Sequence, residues 1–302
     1  MKTKFICTFL LVLATNQVHS KSLFEATDWV TDNTFTTGVE GPAVDKHGDL
    51  YAVNFMQQGT IGKVTGKDEV TKLVSLKNGS IGNGIRFDSE GYMYIADYVN
   101  HNVLTISVVD LAKGGDLSTK VKVFAHNAKM NQPNDLAIMD NGILFASDPN
   151  WQNSTGNLWR INQQGETTLL EANMGTTNGV EVSLDNNTLY VSESVQRKVW
   201  RYDLDSKGNV SNKALLIEFN EHGLDGMRTD KQGKLYIARY GAGVIAVVSA
   251  KGELIREIKL KGQFPTNVAF GGKDGKTVFV TMQKRGAIEM FNVDVPGNAF
   301  KQ

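Results

Sequence analysis

Six times along the chain a polar residue leads into a short apolar strand, an Asp-, Asn- or Gly-containing turn, and a second apolar strand. The first copy is residues 40–55, EGPAVDKHGDLYAVNF. The others open at Asn83 (NGIRFDSEGYMYIADY), Asn134 (NDLAIMDNGILFASDP), Asn178 (NGVEVSLDNNTLYVSES), Asp225 (DGMRTDKQGKLYIARY) and Asn267 (NVAFGGKDGKTVFVTM). Successive openings are 43, 51, 44, 47 and 42 residues apart. A strand-and-turn period in the forties predicts an all-β, six-bladed β-propeller, one repeat per blade.

Within the repeats a third strand of the form Gly-x-Ile/Leu/Val follows, as at Gly59-Thr60-Ile61, Gly156-Asn157-Leu158 and Gly286-Ala287-Ile288. A fourth, more polar strand then leads on, for example over 167–171 and 253–260. No amphipathic helix stands out. The repeat beginning at Asn134 is read as carrying an insertion, 148–155, between its second and third strands. Only about 35 residues follow Asn267, so a strand from the N-terminal region is expected to complete the last blade and remove its exposed edges. One strand candidate there is 35–39, FTTGV.

Composition narrows the partners. The 302 residues carry zero formal net charge at pH 7, with 41% hydrophobic and 21% charged residues. That balance predicts neither a nucleic-acid nor an anionic-membrane partner, and a monomer acting on a small molecule is expected. Residues 1–20 read as a secretory signal peptide: Lys2 and Lys4 precede an apolar block over 5–14, and Val18-His19-Ser20 approximates a small-x-small cleavage site. The mature chain is then one propeller over 21–302, exported to a periplasm or beyond. Cys7, the single cysteine, would leave with the signal, removing disulfide and thiol chemistry.

Equivalent positions of a rotational repeat form a ring around its axis. The opening residues are Glu40, Asn83, Asn134, Asn178, Asp225 and Asn267, and all carry a side-chain oxygen. Asn and Asp also cap turns before strands, but that does not account for a glutamate in the same slot. Converging carboxylate and amide oxygens without His or Cys suit a hard divalent cation, calcium first, with magnesium or manganese also compatible.

The segments Glu40-Gly41-Pro42, Pro133-Asn134-Asp135, Asp148-Pro149, Asn178-Gly179-Val180, Asp225-Gly226-Met227 and 264–272, FPTNVAFGG, together resemble the senescence marker protein/gluconolactonase/regucalcin family, including its squid-type organophosphate hydrolase branch. The resemblance implies a six-bladed propeller with a central metal site, whose ligands match Glu40, Asn134, Asn178 and Asp225. It gives Asp225 the role of general base or nucleophile in metal-assisted hydrolysis of a lactone or related ester. Asn83 is placed near the substrate and Asn267 in a hydrogen-bonding role, while Trp151 could wall the mouth. Two departures stand out. Where the organophosphate hydrolases use an Asp and a His for a second calcium, this chain has Arg228 and Ala269, so no second ion is expected. The arginine that contacts sugar lactones in animal members is replaced by the run Asn131-Gln132-Pro133.

Two rival functions stay open at this level. Residues 95–103, IADYVNHNV, resemble an NHL repeat, which implies an exported binding propeller with a structural ion. Phosphotriester hydrolysis at the same metal is the other. No Gly-x-Ser-x-Gly elbow exists for a serine hydrolase, and His222 reads as a solvated loop residue.

Overall fold

The computed structural model describes residues 22–298; the signal-peptide reading and Cys7 lie outside them. Six four-stranded antiparallel sheets follow one another in the chain, each ordered from innermost to outermost strand. Their innermost strands are Phe35–Val44, Gly82–Phe87, Leu136–Ile138, Thr177–Val182, Met227–Thr229 and Pro265–Gly271. The fold is the expected six-bladed β-propeller.

The last blade takes its outermost strand from the N-terminal side. Thr27–Val30 pairs with Ala287–Asn292, with Thr27 opposite Met290 and Val30 opposite Ile288. The closing strand is therefore not 35–39. Those residues run on into the first blade's innermost strand, where Phe35 and Val39 are buried. Closure is both hydrogen-bonded and apolar, since Val30 is fully buried in a cluster with Phe35, Phe279 and Ile288. Burying one such aliphatic side chain contributes about 1.5–3 kcal/mol.

Each second strand reads as a nearly unbroken apolar run because blades cover it on both faces. In Leu50–Phe55, Tyr51 and Val53 point towards the second blade and pack with Ile85 and Ile95. Leu50 and Ala52 point the other way, towards Ala269 and Phe279 of the sixth blade. Alternation along a strand thus assigns successive residues to different neighbours. Six apolar wedges, one between each pair of adjacent blades, make up the core.

One local reading needs correction. The stretch 148–155 is not a projecting insertion: the second and third strands of that blade simply run on, Leu144–Asn150 against Thr155–Ile161, leaving a turn over 151–154. Among the described residues there is one α-helix, Val108–Lys113, capped by Ser107 and burying no residue. Six residues, of which Leu111 packs partly against the core, are too few to show a helical period.

Candidate active site in the central channel

The six repeat-opening residues do form the inner ring, and local backbone irregularity aims them there. In the first, second, fourth and sixth blades the ladder between first and second strands shifts register beside Glu40, Asn83, Asn178 and Asn267. In the third and fifth blades the strand begins only after Asn134 and Asp225, whose N–H groups donate to Ser147 O and Ala238 O. A bulge or strand start releases a residue from strict alternation and redirects its side chain.

Close packing between blades explains the glycines that follow. A Cβ on Gly41 would lie 2.0 Å from Asn83 O, and one on Gly179 would lie 2.5 Å from Asp225 O. Gly84 meets Asn134 O in the same way, whereas Gly226 makes room for the side chain of Asn267. The carbonyls of Asn83, Asn134 and Asp225 therefore rest against the glycine of the preceding blade. In the third blade that slot holds Asp135 instead, and Gly84 provides the room for it.

Contacts across the axis fix the ring's chemistry. Glu40 of the first blade and Asp225 of the fifth share a hydrogen bond between side chains, so the two carboxyls meet in the channel. The side chains of Asn178 beside Asp225 and of Asn267 beside Glu40 favour the charged form of each carboxyl. Burial, reinforced by the charge of Asp135, pushes Glu40 up to about 7. Asp225 is held well above the usual carboxylate range, first by burial and then by the charge of Glu40. Two buried carboxyls in contact cannot both ionise without a compensating charge.

The carbonyl oxygens Oδ1 of Asn134 and Asn178 are buried and have no hydrogen-bond partner among the described residues. Orphaned acceptors of this kind are rare in folded proteins. Two carboxylates and two free amide oxygens form an oxygen-only donor set that fits a hard divalent cation. Among the described residues no three His, Cys, Asp or Glu are grouped so as to hold a metal ion by themselves; half of this set is asparagine.

Around the ring, Asn83 is half-buried and donates from Nδ2 to Asn134 O at 3.3 Å. Asp148, fully buried, accepts from the N–H groups of Asn131 and Gln132 at 2.7 and 2.6 Å and from Trp159 Nε1 at 2.9 Å. It thereby anchors the segment leading into Asn134. Trp151 is 45% exposed on the turn at the ring end of the third blade. It stands on the rim rather than among the ring residues. His222 is exposed beside Glu221, outside the ring.

Four charged residues beneath the ring escaped the sequence reading of the site: Asp135, Arg86, Glu181 and Arg228, all at most 8% exposed. Asp135 pairs with Arg86 at 3.2 Å and Arg228 at 3.3 Å. It also accepts from Val180 N at 3.2 Å and Asn267 Nδ2 at 3.4 Å. Glu181 accepts from Thr229 N and Oγ1 at 3.0 and 2.9 Å. A signal was present: Arg86, Glu181 and Arg228 each stand three residues after a ring residue, in strands that are otherwise mostly apolar.

The family described as SMP-30/Gluconolactonase/LRE-like region matches residues 34–284. The chain belongs to this family. A gluconolactonase from Zymomonas mobilis is 29% identical over 222 residues, covering 66% of this chain and 60% of that protein. Diisopropyl-fluorophosphatase from Loligo vulgaris is 25% identical over 284 residues, covering 84% of this chain and 88% of that protein. Among solved structures, the calcium-binding protein regucalcin from Agrobacterium tumefaciens superposes with a TM-score of 0.76 at 20% identity, covering 92% of this chain and 97% of that one. The chain spans only about half to 60% of the length of the lactonase relatives it matches.

The raised carboxyls give a pH prediction for chelator-treated protein. An unfolded glutamate ionises near 4.5, whereas folded Glu40 keeps its proton to about 7. The native state therefore binds more protons across that window, and stability must fall as pH rises through it. The loss is on the order of 3 kcal/mol, or roughly 5–10 °C in Tm. Thermal melts in chelator between pH 5 and 7.5 check it; a flat or rising Tm would contradict the assigned environment of Glu40.

Proposed function

We propose that this propeller is an exported hydrolase of a lactone or related ester, with Glu40, Asn134, Asn178 and Asp225 holding one divalent cation, calcium first. The observation that carries the reading is the pair of orphaned buried oxygens on Asn134 and Asn178, set in the ring that brings the Glu40 and Asp225 carboxyls into contact. When bound, the cation would supply Lewis-acid polarisation of the substrate carbonyl.

The chain's own groups do the rest. Asp225 accepts the proton of the attacking water on its carboxylate as the oxygen–carbonyl bond forms. It returns a proton to the ring oxygen as the lactone C–O bond breaks, leaving a hydroxy acid. Asn178, whose side chain favours the charged form of Asp225, keeps it in place, and Glu40 faces it across the axis as a fellow ligand of the cation. Asn83, its Nδ2 occupied by Asn134 O, keeps a side-chain carbonyl oxygen to orient a substrate hydroxyl. Trp151 supplies an apolar wall at the rim. The lactonase names of several relatives favour a sugar lactone, whereas the Asn131-Gln132-Pro133 run favours one that needs no arginine contact.

The deciding experiment is hydrolysis of an aldonolactone and aliphatic lactone panel, with a phosphotriester included because the Loligo relative covers most of the chain. Turnover with calcium should fall by at least about 10³-fold on chelation, the scale expected for losing a Lewis acid, and return on re-addition. Turnover of the phosphotriester alone would move the reading to that chemistry. No turnover, with calcium still raising Tm, would replace it with a binding propeller whose ion is structural.

A further inference from the structure

The layer beneath the ring ties the propeller together across its axis. Asp135 belongs to the third blade, and its partners come from the second (Arg86), fourth (Val180), fifth (Arg228) and sixth (Asn267). Only a group on the axis can reach so many blades. Glu181 of the fourth blade completes the layer: burial pushes its carboxyl up, and the guanidiniums of Arg228 and Arg86 oppose that and favour its ionised form.

Charges in the channel then add up in a definite way. Asp135 and Glu181 contribute two negative charges, and Arg86 and Arg228 two positive ones. The lower layer is neutral. The ring above it carries Glu40 and Asp225 with no cation of its own. Uncompensated charge in such a buried space is strongly disfavoured, so an ion that brings two positive charges closes the balance.

We propose that Asp135, Glu181, Arg86 and Arg228 are charge-setting and positioning residues: by keeping the lower layer neutral they tune the ring to one divalent cation and against ions of other valence. This rests on the ring being the cation site. Proximity supports it. Asp135 follows Asn134 directly, bonds to Asn267 of the ring, and its charge is felt at both Glu40 and Asp225.

The test compares calcium with a trivalent probe, terbium, by calorimetric titration of the chelator-treated chain. A unit charge near the site acts on an ion in proportion to the ion's own charge, so the terbium-to-calcium affinity ratio reports channel charge directly. Arg228→Gln should raise calcium affinity about tenfold and raise the ratio further, by several-fold. Asp135→Asn should move both the opposite way, and the double variant should return the ratio close to wild type. Arg228→Lys keeps the charge and should keep the wild-type ratio.

If Asp135→Asn does not fold, Arg228→Gln and Arg228→Lys still decide the matter. A ratio unchanged in Arg228→Gln, or a Lys variant that behaves like the Gln variant, overturns the proposal and leaves the layer a packing device. Wild-type protein that binds neither ion overturns the ring reading as well, so the two failures are distinct.

Discussion

Asp225→Asn is expected to lower kcat for lactone hydrolysis by at least about 10³-fold, within the range for loss of a positioned general base, while raising the Tm of chelator-treated protein. The opposite signs follow from one geometry. The asparagine has nearly the same shape and can still accept from Asn178, but it cannot take a proton from water. In the absence of a cation, however, the native carboxyl is held well above its usual range by burial and by Glu40. Replacing it with a neutral amide removes that repulsion, and the new N–H can donate to Glu40. Relief of a buried like-charge contact is worth on the order of 1–3 kcal/mol, or several degrees in Tm. Calcium should then stabilise the variant much less than it does wild type. Paired measurements of kcat and of melting with and without calcium test both halves. A variant that keeps full turnover would remove Asp225 from the mechanism.

Gly41→Ala should destabilise the chain by at least about 3 kcal/mol, roughly 10 °C in Tm, and abolish the calcium-dependent rise. Two costs coincide there. The backbone has φ +59°, which an alanine adopts at about 1–2 kcal/mol. The new Cβ would also sit 2.0 Å from Asn83 O, and a carbonyl fixed in the next blade cannot retreat without shifting the ring. Gly48→Ala is the matching control. It too has positive φ, +89°, but nothing lies within 4 Å of its Cβ. Its penalty should be the conformational one alone, about 1 kcal/mol and a few degrees. Equal effects at both positions would mean that contact between the ring and the neighbouring glycine is unimportant.

How far such features can be read in advance depends on whether they repeat. Glu40, Asn83, Asn134, Asn178, Asp225 and Asn267 recur at one position of six similar units, and rotational repetition alone sends them to a common axis. The expectation of a borrowed closing strand had the same origin, since the last unit has too few residues to finish its sheet. Its identity did not follow. Thr27–Val30 is four residues long and half exposed, whereas 35–39 has the more strand-like composition and is used elsewhere.

What the amino-acid sequence by itself determined was the all-β architecture, the six blades and the oxygen-bearing ring, because local period and residue type suffice for those. The tertiary structure alone decided which groups meet across the channel: Glu40 with Asp225, and Asp135 with Arg86 and Arg228. Asp135 stands 49 residues from one arginine and 93 from the other. Asp135 breaks the repeat by standing where four other units have glycine, while Arg86 and Arg228 share one repeat position, but in a strand read singly a lone charge is indistinguishable from a solvated one. Only closing six sheets about one axis brings them within hydrogen-bonding distance and removes the water that would otherwise screen them.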